Sequence, residues 1–236
     1  MAKKTSKRKT LNILDKNKKH SQFDYTEIFR HIRTNIEFST VDKDIKSICI
    51  TSSQAGEAKT TLSINLAYIF ATKYNRVLLI DCDLRKNTLH KYMGLSNKHG
   101  LTDALLEYRQ TKKLNVEYFQ SVKDPSFAGT MAVLTSGIHI PNPSELLGSH
   151  VFKDYINELK KSFDFIIIDC APVGMISVAI PIGNAVDGTI FAISSQDTNK
   201  KDAANCVKLL QRNNVNVLGS VLTKAKSLSG SHYYYY

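Results

Sequence analysis

Thr51-Ser-Ser-Gln-Ala-Gly-Glu-Ala-Lys59-Thr60-Thr61 lies between two apolar segments, Ile45-Lys-Ser-Ile-Cys-Ile50 before it and Leu62-Ser-Ile-Asn-Leu-Ala-Tyr-Ile-Phe70 after it. A strand, a turn of small residues and a helix, in that order, are the context a phosphate-binding loop requires. The turn and the helix N-terminus then aim the positive ends of their N–H dipoles at phosphate oxygens. On this reading Ser53, Gln54, Ala55, Gly56, Glu57, Ala58, Lys59, Thr60 and Thr61 form an ATP-binding loop. Lys59 adds a full positive charge at the β- and γ-phosphates, and the Thr60 hydroxyl sits on Mg²⁺. Two glycines of the usual pattern are replaced, by Ser53 and Ala58, while Gly56 remains. If position 58 needs a positive φ, an alanine there costs ~1–2 kcal/mol. An ordinary strand–turn–helix connection is the alternative for the loop taken alone.

The neighbouring segments favour the phosphate loop. Asn75-Arg-Val-Leu-Leu-Ile-Asp81-Cys-Asp83-Leu-Arg85-Lys86 predicts a buried parallel strand that ends in charge. Asp81 and Asp83, two residues apart, project to one side at the strand's C-terminal end, where open α/β sheets bind ligands. Phe163-Asp-Phe-Ile-Ile-Ile-Asp169-Cys-Ala-Pro172 predicts the most apolar strand, again closed by an aspartate. That is the Mg²⁺-side carboxylate position of P-loop ATPases. Further strands are expected over 131–137, 188–194 and 215–222, and helices over 149–162 and near 200–212. Thr102 is the expected cap of a short helix after Gly100, and Ser144 that of a helix after the Ile140-Pro-Asn-Pro loop. Strands alternating with helices favour an α/β fold: a P-loop NTPase-like, mostly parallel sheet flanked by helices in a single domain.

Composition narrows the class. At 236 residues and 42% apolar, the chain supports one real core. No apolar run approaches the ~20 residues of a transmembrane helix, and the basic N-terminus lacks the apolar segment of a secretory signal. Cys49, Cys82, Cys170 and Cys206 are too scattered for a metal site or a disulfide framework, which points to reduced thiols in a cytoplasmic protein. The net charge is +11, of which residues 1–20 supply +7, eight Lys and Arg against Asp15. That tail reads either as attraction to an anionic membrane surface or as a solvated flexible segment. The remainder is mildly basic, so nucleic acid is not expected as a partner.

Residues 22–38 predict an amphipathic helix, with Ile28, Ile32 and Ile36 at helical spacing. Glu27, Arg30 and Arg33 form a polar stripe on it, either an i,i+3 salt bridge worth ~0.2–0.5 kcal/mol or a contact for another subunit. The chain closes with Ser227-Leu-Ser-Gly-Ser-His232 and the cluster Tyr233, Tyr234, Tyr235 and Tyr236.

Taken together, Glu27-x-x-Arg30-x-x-Arg33, Ser53–Thr61, Asp81-Cys-Asp83-x-Arg85, Pro141-Asn-Pro-Ser-Glu-Leu146, Asp169 and the tyrosine cluster resemble the bacterial protein-tyrosine kinases of capsule and exopolysaccharide synthesis. The chain is similar to the separate cytoplasmic kinase subunit of Gram-positive bacteria, over about residues 22–236. That resemblance implies a flexible tail over 1–21, a kinase domain over 22–226 and a tyrosine tail over 227–236. It implies ATP and Mg²⁺ as cofactors, with Lys59, Asp81, Asp83 and Arg85 catalytic and Thr60, Asp83 and Asp169 serving the metal. It implies Tyr233–Tyr236 as phosphoacceptors and Glu27, Arg30 and Arg33 as ring contacts. The implied partners are further copies of the chain, a membrane-embedded activator of the polysaccharide co-polymerase type, and a cognate tyrosine phosphatase. Location at the inner face of the membrane, through that activator, follows. The family's Thr-Pro before Pro172 is Cys170-Ala171 here, and Thr223-Lys224 stands where an Asn and a basic residue often meet the adenine. Two alternatives stand beside it. One is an assembly subunit that turns over little ATP, to which Ala58 points. The other is a partitioning-type ATPase, whose signature Lys five residues before Lys59 is Gln54 here.

Overall fold

Seven strands form one sheet: β1 (Ser47–Ser52), β2 (Arg76–Asp81), β3 (Gln120–Val122), β4 (Thr130–Leu134), β5 (Phe165–Asp169), β6 (Gly188–Ser194) and β7 (Val217–Thr223). Their spatial order is β3-β4-β2-β5-β1-β6-β7 in this computed structural model, which describes residues 25–39, 44–174 and 178–225. Every pairing is parallel except that of β3 with β4. Eight helices cover the sheet: α1 (Tyr25–Glu37), α2 (Lys59–Ala71), α3 (Leu89–Met93), α4 (Leu101–Thr111), α5 (Pro143–Leu147), α6 (His150–Ser162), α7 (Ala179–Ala185) and α8 (Lys200–Arg212).

The central strands are apolar throughout because both of their faces are covered. In β5, Ile166 and Ile168 enter the layer under α4, α6 and α7, while Phe165 and Ile167 enter the layer under α1 and α2. β2 divides in the same way, with Leu78 and Ile80 on one side and Val77 and Leu79 on the other. Alternation of side chains along a strand feeds two cores from one run. Parallel pairing also brings the C-terminal ends of β1, β2, β5, β6 and β7 to one edge of the sheet, and the candidate site lies there.

Two local expectations are corrected. Gly100, not Thr102, precedes α4, and its N–H donates to Asp103 Oδ2 at 2.9 Å. Leu101 N–H is held by Thr135 O at 2.7 Å, so the helix starts two residues earlier than expected, and the Thr102 hydroxyl donates to Ser136 O and Ile138 O. Ser144 lies inside α5, whose start is set by Pro143; Ser149 caps α6, accepting from Phe152 N–H at 3.4 Å. The antiparallel edge strand β3 and helices α3 and α7, of three, five and seven residues, are too short for periodicity to reveal. All four cysteines are free thiols. The expected tail boundaries at 21/22 and 226/227 lie outside the described residues.

Candidate nucleotide and phosphoryl-transfer site

β1 is buried from end to end and runs directly into the loop Ser53–Ala58. Gly56 takes φ 86°, and a Cβ added there would meet nothing within 4 Å, so the backbone presents an open face at that point. Only glycine adopts such a φ without strain. Ala58 takes φ 61°, the left-handed conformation that costs an L-residue ~1–2 kcal/mol. That turn lets α2 begin at Lys59, with Leu62 N–H donating to Ala58 O at 2.9 Å. No side chain caps α2, so the free amides of its first turn are left for an anion. Lys59 is buried, and its ammonium forms no ion pair among the described residues. Gln54 and Ala55 are exposed beside Gly56, and Thr61 is exposed on the first turn of α2. Gly174 closes over the loop from behind: its N–H donates to Ser53 O at 3.1 Å, and a Cβ there would lie 2.5 Å from that oxygen.

Facing Thr60 are the strand-end carboxylates. Asp81 and Asp169 are register partners at the ends of β2 and β5, and Ile50 of β1 pairs with Asp169 on its other side. The Thr60 hydroxyl donates to Asp169 Oδ2 at 2.6 Å, and the Ser63 hydroxyl to Oδ1 at 3.1 Å. Burial nevertheless pushes the Asp169 carboxyl up to about 6, against the pull of Thr60 and Lys59. Burial also drives Asp81 well above the usual carboxylate range, helped by the charges of Asp169 and Asp83. Asp81 Oδ1 accepts from Asp83 N–H at 3.1 Å, whereas buried Oδ2 has no hydrogen-bond partner. Asp83 is half-buried and accepts from Lys86 N–H at 3.0 Å. Arg85 is exposed, and with Asp83, Pro143, Leu147 and Ala171 it lines an opening beside the carboxylates.

An unpartnered buried carboxylate oxygen beside a second carboxylate and a hydroxyl suits a hard cation. Among the described residues no three His, Cys, Asp or Glu side chains are close enough to hold a metal alone. Mg²⁺ fits that pattern, because it binds through one or two protein ligands and completes its shell with water and phosphate oxygens. The residues therefore fit a Mg·nucleotide.

Not every expected residue comes to this site. Arg30 pairs with Glu27 at 3.0 Å on the exposed side of α1. Arg33 does not share that stripe: its guanidinium turns inward and donates to Ile69 O at 2.8 Å and to Thr72 Oγ1 at 3.4 Å, on the last turn of α2. Helical residues three apart drift around the axis, and the third member reaches the neighbouring helix. Tyr233–Tyr236 lie outside the described residues. Two residues at the site, Ser63 and Thr198, went unread as part of it, and Thr223, placed by the resemblance near the adenine, meets the phosphate loop. Ser63 follows Thr60 at i+3, a spacing that signals a shared face. Thr223 donates to Glu57 O at 2.9 Å, and Thr198 donates to the Glu57 carboxylate. Thr198 has no local signal, since its partner is 141 residues away.

A family model described as an AAA domain matches residues 45–218. The chain is 41% identical over 211 residues to the tyrosine-protein kinase YwqD of Bacillus subtilis, covering 89% of this chain and 86% of that protein. It is 36% identical over 236 residues to the putative tyrosine-protein kinase CapB of Staphylococcus aureus, covering 100% and 98%. Among solved structures it superposes on the chimerical protein CapA2B2 with a TM-score of 0.78 at 31% identity, covering 90% and 88%. For the kinase domain of the Escherichia coli tyrosine kinase ETK the TM-score is 0.73 at 27% identity, covering 89% and 80%. A ParA family ATPase from Chlorobium tepidum, at 17% identity and a TM-score of 0.61, shares the fold alone. With a kinase relative matched from end to end and the loop, the lysine and the strand-end aspartates in place, the chain belongs to the bacterial tyrosine-protein kinases.

Proposed function

We propose that this kinase transfers the γ-phosphoryl group of Mg·ATP to Tyr233–Tyr236 of a neighbouring copy. The observation that carries the reading is the juxtaposition of Thr60 with Asp169, at 2.6 Å, beside buried Asp81. Phosphoryl transfer needs mainly positioning and charge neutralisation, and these residues supply both. Lys59 and the first amides of α2 hold the phosphate oxygens. Thr60 and Asp83 would hold Mg²⁺, with Asp169 contributing its charge beside them. Mg²⁺, when bound, neutralises charge developing on the β- and γ-oxygens. Asp81 accepts the phenolic proton as the tyrosine oxygen bonds to phosphorus and the bond to the β-phosphate oxygen breaks, leaving ADP. Burial and the adjacent charges raise its affinity for that proton.

The function extends to the setting in which such kinases work. We assign this one to capsular or exopolysaccharide synthesis, in a ring of identical subunits at the inner face of the membrane. Among the described residues no helix is long and apolar enough to cross a bilayer, so a membrane-embedded activator is the anchor. A cognate phosphatase resets the tail. The test is Lys59→Met incubated with Mg·ATP and the activator's cytoplasmic segment. The variant is expected to keep the parent's circular dichroism and lose its phosphotyrosine signal on a blot. An undiminished signal rejects the assignment of Lys59 and of the loop.

A further inference from the structure

Glu57 is the loop residue that nucleotide chemistry leaves unused. Its side chain is fully buried. Its carboxylate oxygens accept from the Ser53 hydroxyl at 2.9 and 3.1 Å, and Oε2 accepts from Gln54 N–H at 3.0 Å. Oε1 also accepts from the Thr198 hydroxyl. The direction of that bond is fixed, because the ionised carboxylate has no proton to give; the Thr198 hydroxyl also accepts from Ser194 N–H at 2.8 Å. The Glu57 carbonyl accepts from Thr223 at 2.9 Å, and Gln54 Nε2 donates to Asp197 O at 2.9 Å. The loop is thus fastened to the turn between β6 and α8 and to the end of β7.

A buried carboxylate next to an anion site opposes anion binding unless its charge is consumed internally. Burial disfavours the charge of Glu57, and the donors from Gln54, Thr198 and Ser53 outweigh it, holding the carboxyl below its usual range. The same bonds oppose relaxation of Ala58 out of its left-handed conformation, which persists only where the surroundings over-determine it. Resting on the Mg·nucleotide reading above, we propose that Glu57 and Thr198 are positioning residues. They form a buried clamp that holds the phosphate loop in its nucleotide-accepting shape by locking it to the β6–α8 turn.

The experiment measures Mg·ADP affinity by calorimetry, and amide hydrogen exchange without nucleotide, on the full chain. Glu57→Gln puts an amide N–H₂ among donors, and Thr198→Val removes, at nearly constant shape, the hydroxyl that donates to Glu57 and accepts from Ser194 N–H. Each is expected to weaken Mg·ADP by about tenfold or more, the scale of a lost bond to a charged group. The double variant is expected to bind no worse than the weaker single one, since both break one contact. Amides of residues 54–58 are expected to exchange faster, with the rest of β1 and α2 unchanged, and Thr198→Ser to restore affinity. Thr198→Val carries the test alone if Glu57→Gln does not fold. Affinity within about twofold of the parent for Thr198→Val overturns the clamp. So does faster exchange spread evenly over β1 and α2, which marks a general loss of stability. A parent that binds no Mg·ADP rejects the nucleotide reading itself, a result distinct from either.

Discussion

Two residues of the site hold unfavourable states. Ala58 is left-handed without being glycine, and Asp81 keeps a buried carboxylate oxygen without a donor. Such features persist where a ligand later compensates them. On the proposed function, the phenolic proton would compensate Asp81. Asp81→Asn removes the repulsion from Asp169 and Asp83 at nearly constant volume. It is expected to raise the thermal midpoint of the unliganded protein and to eliminate tyrosine phosphorylation. A melting curve with a lowered midpoint contradicts this account of Asp81. That position was legible in the sequence as an aspartate closing an apolar strand. Its lack of a partner was not, because a missing hydrogen bond depends on every neighbour at once.

Among the elements, α1 divides its polar residues between two tasks. The Glu27–Arg30 pair is exposed at 53% and 49%, where such bridges contribute less than ~1 kcal/mol. Arg33, at 15%, joins α1 to the carbonyl end of α2 and stabilises the fold by about 1.5–3 kcal/mol, the range for hydrogen bonds to a charged group. Arg33→Ala is therefore expected to lower the melting midpoint by several degrees. Glu27→Ala with Arg30→Ala is expected to leave the midpoint unchanged. The same double variant is expected to reduce the mass seen by light scattering where the parent assembles. Equal melting of Arg33→Ala and the parent, or an unchanged mass for the double variant, contradicts this division. The i,i+3 spacing was legible; the inward turn of Arg33 needed the position of α2.

In the whole molecule, β7 ends on the edge of the sheet that holds the candidate site. It ends at Thr223 on the edge that carries Asp81 and Asp169, and the Thr223 hydroxyl touches the phosphate loop. Lys224 is held there by Asp197 at 2.6 Å. The 12 residues beyond Lys224 span at most ~40 Å when extended, enough to reach a neighbour's site in a ring. On the proposed function each phosphate would add about −1.5 to −2 charge, and several beside three aspartates would repel the tail from the site. Mixing Lys59→Met protein that keeps its tail with a tailless protein that keeps Lys59 is expected to place phosphotyrosine on the former. Robust labelling of the parent with no transfer in the mixture indicates reaction within one chain and removes the case for a ring that opens on phosphorylation.

The sequence by itself determined every strand but β3, the main helices and the loop between β1 and α2. These follow from periods of two and 3.6 residues and from small residues at a turn, all local properties. It also determined that acidic residues close β2 and β5, since a charge ends an apolar run wherever the run is buried. Tertiary structure alone decided that β5 lies between β2 and β1, which sets Asp81 beside Asp169 and Asp169 against Thr60, 109 residues away. It alone joined Glu57 to Thr198 and turned Arg33 onto Ile69. The physical reason is that parallel strands pair through backbone groups common to every residue. Order and register are therefore chosen by how both faces of the sheet pack against their helices, which no short stretch of the chain records.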